Sequence, residues 1–396
     1  MAEGDCDYVV YDDHRQPDLD FSITYEPERP SSPFSNSFAA LFVGSLIVII
    51  TCVLTFVFEG YSVRVEKALN EIGARVRATP MNRYVPGLDG HLVYVAGATT
   101  SVGGVTDIAL GVHAAGLKLK RHVEMYQWEE REENSGSNRR YEYRRVWSEN
   151  AIASSRFHQQ GYHDNPPFPQ TGSQSFGAGD ARINAFPVGA MATSRLPATD
   201  DLRPDPSVAS NLQRTLGRPI HIAGGAYFAG RNPSSPQIGD LRIAYRYVPA
   251  GAASFIGKQE PAGLEPFRTH TGQAMLLAET GTHSAADLVA HGQERNQSEI
   301  WLWRAASILA LFIGFFTLFM PVNILASYIP LVGGIVQGAT MLMALVAALT
   351  VGPAVSALAW LTYRPIMALS VIAGLTLVAL CIANLRHSRA PAFGRA

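Results

Sequence analysis

The sequence predicts an integral membrane protein of the α-helical class, with four spans and a large mixed α/β, strand-rich domain between spans one and two. Three observations carry this prediction. Between Arg304 and Arg364 stand 59 consecutive residues without an ionised side chain, and Glu299 is the last acidic residue of the 396. A bilayer core of roughly 30 Å takes about 20 apolar residues per helix, so this run has room for two spans and a short turn, and 365–385 supplies another. A further uncharged run covers 38–58, and the long polar stretch after it alternates apolar and polar residues in the period of strands.

In chain order, residues 1–37 are acidic, carry Pro17, Pro27, Pro30 and Pro33, and show no periodicity, so they are expected to be a disordered tail. The run 38–58 is read as a retained first span, because no basic segment introduces it and no small-residue cleavage site follows it. In 59–80, Val65, Leu69, Ile72 and Val76 recur at helical spacing, with Arg64, Lys67, Glu71 and Arg75 on other faces. That is the pattern of an amphipathic juxtamembrane helix or, equally, of an ordinary helix of the soluble domain.

Residues 81–300 form the expected domain, large enough for a substantial core. Leu117, Leu119, Arg121, Val123 and Met125 share one strand face, and Tyr141 and Tyr143 begin a second strand beyond the turn-rich 134–138. Leu241, Ile243, Tyr245 and Tyr247 repeat the period of two. The stretches 163–186 and 197–219, rich in Pro, Gly, Ser and Asn, read as long surface loops or covering segments, and 283–297 as a helix running into span two.

The C-terminal block divides into span two at 301–322, span three at 331–362 with a kink near Gly352 and Pro353, span four at 365–385, and a basic tail at 386–396. Trp301, Trp303, Trp360 and Tyr363 stand where an interfacial aromatic belt belongs. Arg304 and Arg364 lie at span ends, from which long side chains reach the head groups.

Charge excludes one class of partner. The formal net charge is −1, and 59–299 holds 24 acids against 25 bases, so no block reads as a nucleic-acid groove. Cys6, Cys52 and Cys381 leave the polar middle without cysteine, which excludes a disulfide framework there. The basic residues are mostly arginine, a usage that fits a GC-rich bacterial genome. Basic residues flank the first span on both sides, so charge counting does not orient the chain.

Several short stretches, spread from the first span to the last, resemble the transmembrane protein 43 (LUMA) family. They are FEG at 58–60, RHVEMYQWEE at 121–130, YEYRRVW at 141–147, SSRF at 154–157, the Asn165-Pro166 step, GDLRI at 239–243, SYIPLVGG at 327–334 and AWLTYRP at 359–365. The resemblance covers about 340 residues and is carried by the order and spacing of the motifs together. It implies that the large domain is extracytoplasmic: periplasmic in a bacterial inner membrane, or lumenal in the endoplasmic reticulum or inner nuclear membrane of a eukaryote. It also implies a role in organising membrane-protein complexes. The family often carries Asp-Trp before Ile-Pro after span two, where this chain has Ser327 and Tyr328.

The motifs single out Glu59, Gly60, Trp128, Glu129, Trp147, Asn165, Asp240, Arg242, Arg364 and Pro365 as candidate interaction or structural residues. Trp128 with Glu129, and Trp147, could present a binding face, although packing in the sheet explains them as well. Arg242 beside Asp240 could hold an anionic ligand, although on a strand the two are expected to form an ion pair. Gly333, Gly334 and Gly338 form a small-residue surface for close helix packing, within the chain or between copies.

For an enzyme, the available material is His158, His163 and Asp164 near Ser154, Ser155, Ser173 and Ser175, the raw parts of a hydrolase. No G-x-S-x-G elbow, HExxH, Walker A or Rossmann glycine pattern accompanies them. For a transporter or channel, the spans offer Gln337, Asn323 and a few hydroxyls. The expectation is therefore a non-enzymatic membrane scaffold that organises complexes or senses membrane state. It has no catalytic, cofactor or metal site, and its partners are membrane lipids, other membrane proteins and further copies of itself.

Overall fold

Burial with a period of two organises the polar part of the chain. The computed structural model describes residues 21–27, 33–79, 83–135, 138–329 and 332–366, with 369 and 373. Along the strand Gly116–Ser135, Leu117, Leu119, Arg121, Val123 and Met125 are all buried, as their alternation predicts. This strand forms an antiparallel hairpin with Asn138–Ser148, in register from Met125 opposite Ser148 to Ser135 opposite Asn138. On its other side it pairs with Leu241–Pro249, where Leu241, Ile243 and Tyr245 turn inward.

The described residues divide into two compact units. The first, built mainly from Ile72–Arg268, holds two large sheets. Among the described residues, one sheet has eight strands. Its path runs from Phe21–Pro27 through Asn138–Ser148, Gly116–Ser135, Leu241–Pro249 and Ala226–Ala229 to Ile220–Ala223. The other has seven, centred on Leu92–Thr100 and Ala252–Glu260. Val93, Val95 and Phe255 from the second sheet share one buried cluster with Leu119, Val123, Met125 and Ile243 from the first. Burying a side chain of this kind stabilises by about 1.5–3 kcal/mol, so this shared cluster is what holds the two sheets together.

Three stretches of this unit differ from expectation. Phe21–Pro27, part of the acidic tail expected to be disordered, pairs along Asn138–Ser148, from Phe21 opposite Arg144 to Pro27 opposite Asn138. Its sequence alternates Phe21, Ile23 and Tyr25, the strand period that the surrounding acids and prolines obscured. Residues 1–20 and 28–32 lie outside the described residues.

The stretch 197–219, read as a loop, contains a helix, Pro206–Leu216. Asp205 caps it by accepting from the Ser207 N–H, Pro206 occupies the first turn, and Gly217 ends it at φ 65°. Proline at the start and glycine just past the end are ordinary helix punctuation. The stretch 163–186, also read as a loop, likewise contains the short strands Gln174–Gly177 and Arg182–Ile183.

The second unit is helical. Among the described residues the α-helices are, in chain order, α1 (Pro33–Arg75), α2 (Gly189–Thr193), α3 (Pro206–Leu216), α4 (Ala285–Leu318), α5 (Met320–Ser327) and α6 (Val332–Tyr363). Among the described residues, three helices are long and apolar enough to cross a membrane: Phe38–Arg75, Ala285–Leu318 and Gly333–Tyr363.

The amphipathic stretch after Glu59 is no separate helix but the continuation of the first span. At 1.5 Å per residue the 43 residues of α1 reach about 65 Å, twice a bilayer core. Phe42, Ile49, Val53, Leu309 and Ile335 are exposed on these helices, as side chains in contact with lipid are. Pro353 lies inside α6, where the kink was expected. Most of 365–385, the expected span four, and all of the tail 386–396 lie outside the described residues.

Candidate functional site

Glu59 follows the last apolar residue of the first predicted span, yet it is only 2% exposed. Arg304 of α4 holds it in a two-pronged pair, Nε to Oε1 at 2.6 Å and Nη2 to Oε2 at 2.9 Å. The indole Nε1 of Trp360 in α6 donates to the same Oε2 at 3.1 Å. The Arg304 guanidinium carbon lies 4.9 Å from the Trp301 ring centre and 5.6 Å from that of Trp360, within cation–π range. One carboxylate thus ties α1, α4 and α6 together. Removing one partner of such a buried pair costs about 3–5 kcal/mol, chiefly because the other charge is left stranded.

The neighbouring motif residues serve the same junction. A Cβ on Gly60 would stand 2.5 Å from Cζ of Tyr363, so glycine is what allows that ring to lie on α1. Phe58 stacks on Trp303 with ring centres 4.0 Å apart. Arg364 pairs with Glu66, Lys67 Nζ donates to the Tyr363 carbonyl, and Pro365 is exposed beyond them. FEG and AWLTYRP, 301 positions apart at Glu59 and Trp360, therefore meet in one place. Sequence reasoning named both motifs but missed Arg304 and Trp360 as their connection, since both residues were already explained as interfacial anchors.

The candidate helix-packing glycines are less crowded. A Cβ on Gly333 would lie 3.2 Å from Ser327, while at Gly334 and Gly338 nothing stands within 4 Å. Close approach occurs instead where Gly44 of α1 meets Gly314 of α4.

In the strand-rich unit the remaining candidates are engaged with one another across the sheet. Trp147 lies 5.1 Å from Tyr126 and 6.2 Å from Phe228, with the Arg242 guanidinium 4.9 Å above its ring. Arg242 does not pair with Asp240, which corrects the expected ion pair. Its Nε and Nη2 both reach Glu124 Oε2 at 2.7 Å, because Glu124 is its direct neighbour on the adjacent strand. Asp240 precedes the strand and accepts from the Gln237 N–H, closing a turn. Glu129 binds Arg144 at 2.6 Å. Asn165 imitates a strand edge: its Oδ1 accepts from Trp128 N–H, and its Nδ2 donates to the carbonyls of Trp128 and Ile152.

Several of the hydrolase parts make packing or hydrogen-bond contacts as well. His158 stacks on Tyr141 at 4.1 Å and His163 on Tyr143 at 4.0 Å, with Trp128 edge-on to His163. Ser154 Oγ accepts from the Asn165 N–H, and Ser173 joins Glu149 to the Val123 N–H. Asp164 is exposed. Burial holds His163 below the usual histidine range, although Glu130 and Asp164 pull it the other way. Burial, and then the hydrogen bond to Glu130, raise the Tyr143 hydroxyl.

One buried cluster was not recognised from the sequence. Arg121, 2% exposed, meets the fully buried Asp107 at 2.5 Å, and Tyr245 donates to the same Oδ2 at 2.7 Å. Burial first, then the bond to Asp107, push the Tyr245 hydroxyl up. The signal was present as a cation on an otherwise apolar strand face.

Known proteins are similar to this chain in sequence. Residues 125–365 match the family described as Transmembrane protein 43. The human "Transmembrane protein 43" is 28% identical over 371 residues, covering 89% of this chain and 91% of its own. The mouse protein of that name is 27% identical, with 92% and 94% covered. The "Transmembrane protein 43 homolog" of Drosophila melanogaster is 28% identical over 335 residues, with 78% and 85% covered. No solved structure matches. The family match spans both the hairpin carrying Trp128 and Trp147 and the helices carrying Arg304 and Trp360, and this chain belongs to the transmembrane protein 43 family.

Proposed function

We propose that this chain is a non-enzymatic membrane scaffold: a helical bundle anchors a strand-rich extracytoplasmic domain that organises membrane-protein complexes. The observation that carries the reading is the engagement of the chemically versatile side chains in internal contacts. Glu59 is held by Arg304 and Trp360, Arg242 by Glu124, and His163 lies against Tyr143 and Trp128. Groups committed in this way hold shape, which a scaffold requires, and are poor candidates for moving a proton or an ion. Four spans, with the domain periplasmic in a bacterial inner membrane, complete the reading, and the open Gly334 and Gly338 positions of α6 suit a second copy.

The test is purification of the full chain from native membranes in mild detergent, with identification of everything that copurifies. A stoichiometric membrane-protein partner is expected. Recovery without any partner, together with solute flux in reconstituted vesicles or hydrolytic activity lost in His163→Ala, would overturn the scaffold reading.

A further inference from the structure

The helical unit contains a cavity of about 350 Å³ beside Glu59, walled chiefly by Trp301, Arg304, Ile308, Pro353, Ala357 and Trp360. Its size and mostly apolar lining are those of a small-ligand site. The hydroxyls in the wall are largely occupied: Thr55 donates to the Thr51 carbonyl and Ser307 to that of Trp303. Arg304 is different. Its Nε and Nη2 are taken by Glu59, while Nη1 has no acceptor among the described residues. The wall therefore presents charge-bearing N–H donors at one point and hydrocarbon or aromatic rings elsewhere.

That is the surface an amphiphile with an acceptor oxygen complements. The walls belong to helices apolar enough to cross a membrane, so the molecules at hand are acyl lipids. Trp301 and Trp360 mark the interfacial depth at which phosphate and ester oxygens lie. Glu59 already balances the Arg304 charge, so the site needs an oxygen acceptor and no net negative head group. We propose that this cavity binds a single glycerophospholipid, with a phosphodiester or ester oxygen accepting from Arg304 Nη1 and an acyl chain lying along Ile308, Pro353 and Ala357. The site is independent of the scaffold reading, which stands or falls on protein partners.

The experiment uses the full chain in membranes loaded with phosphatidylethanolamine carrying a photoreactive diazirine in one acyl chain, followed by peptide mapping. Native mass spectrometry then measures phospholipid retained after detergent extraction. Two variants accompany the natural chain. Ser307→Trp fills the cavity. Arg304→Lys keeps a charge for Glu59 but loses the guanidinium fork that serves two acceptors at once. Crosslinks on 301–308 and 352–360 are expected, with lipid retention reduced about tenfold in Arg304→Lys, the loss of roughly one charge-assisted hydrogen bond, and lost in Ser307→Trp, whose indole occupies the space of the acyl chain. Crosslinks confined to other surfaces, or unchanged retention in both variants, would overturn the proposal. So would a photoreactive residue at 307 crosslinking to 365–385, since the chain would then fill its own cavity. If a variant fails to fold, the crosslink map of the natural chain still decides.

Discussion

His163 shows how one side chain's surroundings set a measurable property of the fold. It stacks on Tyr143 and meets the edge of Trp128, while Glu130 and Asp164 supply the nearby negative charge. Burial outweighs those acids and keeps the folded pKa below its ordinary value near 6.5. The unfolded chain therefore takes up the proton first. The contribution of His163 to stability is intact above about pH 6.5 and declines as the pH falls from there towards the folded pKa. Replacing it with phenylalanine keeps a ring on Tyr143 and removes the titrating group. Thermal midpoints measured in detergent from about pH 7 to about pH 5 are expected to fall less for His163→Phe than for the natural chain. Parallel curves would show that the histidine does not set this dependence. Arg121 teaches a related lesson: its place on the inward face was legible in the alternation, but its partners Asp107 and Tyr245 lie 14 and 124 positions away and only folding brings them together.

Among elements, the long hairpin and the strand at Leu241–Pro249 were legible because one side of each faces the core and burial imposes a clean period of two. The helix α3 was not, since its polar sequence resembles a loop and only the Asp205-Pro206 start and Gly217 end betray it. The boundary placed after Phe58 had a similar cause. Apolar and amphipathic halves differ in composition, but no proline or glycine pair breaks the helix, and its partners hold Glu59 in place.

Packing glycines were the least legible, because several occur in the spans and only the close approach distinguishes them. A Cβ on Gly44 would lie 2.8 Å from the Leu318 nitrogen and 2.9 Å from the Gly314 carbonyl oxygen, and one on Gly314 would lie 2.8 Å from Val48. Alanine at either position forces α1 and α4 apart and is expected to cost about 1–3 kcal/mol, as overpacking does. Gly334→Ala, in open space, serves as the control. Lower thermal midpoints for Gly44→Ala and Gly314→Ala, with Gly334→Ala near the natural value, would establish the α1–α4 contact; an equal loss at Gly334 would refute it.

At the scale of the whole molecule, the number of spans fixes which tails share a side. Residues 365–385 carry no ionised side chain, and 21 residues of helix reach about 31 Å, the thickness of a bilayer core. Outside a membrane this segment would expose a continuous apolar surface; inside, a helix satisfies all its backbone groups. A crossing at 38–58 and the pairing of Phe21–Pro27 along Asn138–Ser148 exclude one another, since the pairing holds the N-terminal tail on the domain's side. With that crossing, four spans place both tails on one side and the strand-rich domain on the other, and three place the C-terminal tail with the domain. Single-cysteine chains read the difference with a membrane-impermeant thiol reagent: Cys6 in the N-terminal tail, Ala390→Cys in the C-terminal tail, and Val102→Cys at a fully exposed position of the domain. With the crossing at 38–58, Cys6 and Ala390→Cys are expected to label together from one face and Val102→Cys from the other; Cys6 labelling with Val102→Cys would keep the strand pairing and rule out that crossing. If Ala390→Cys labels with Val102→Cys, the number of crossings is odd and 365–385 does not span. Because the basic residues near the first span balance across the membrane, this measurement also supplies the orientation that charge counting leaves open.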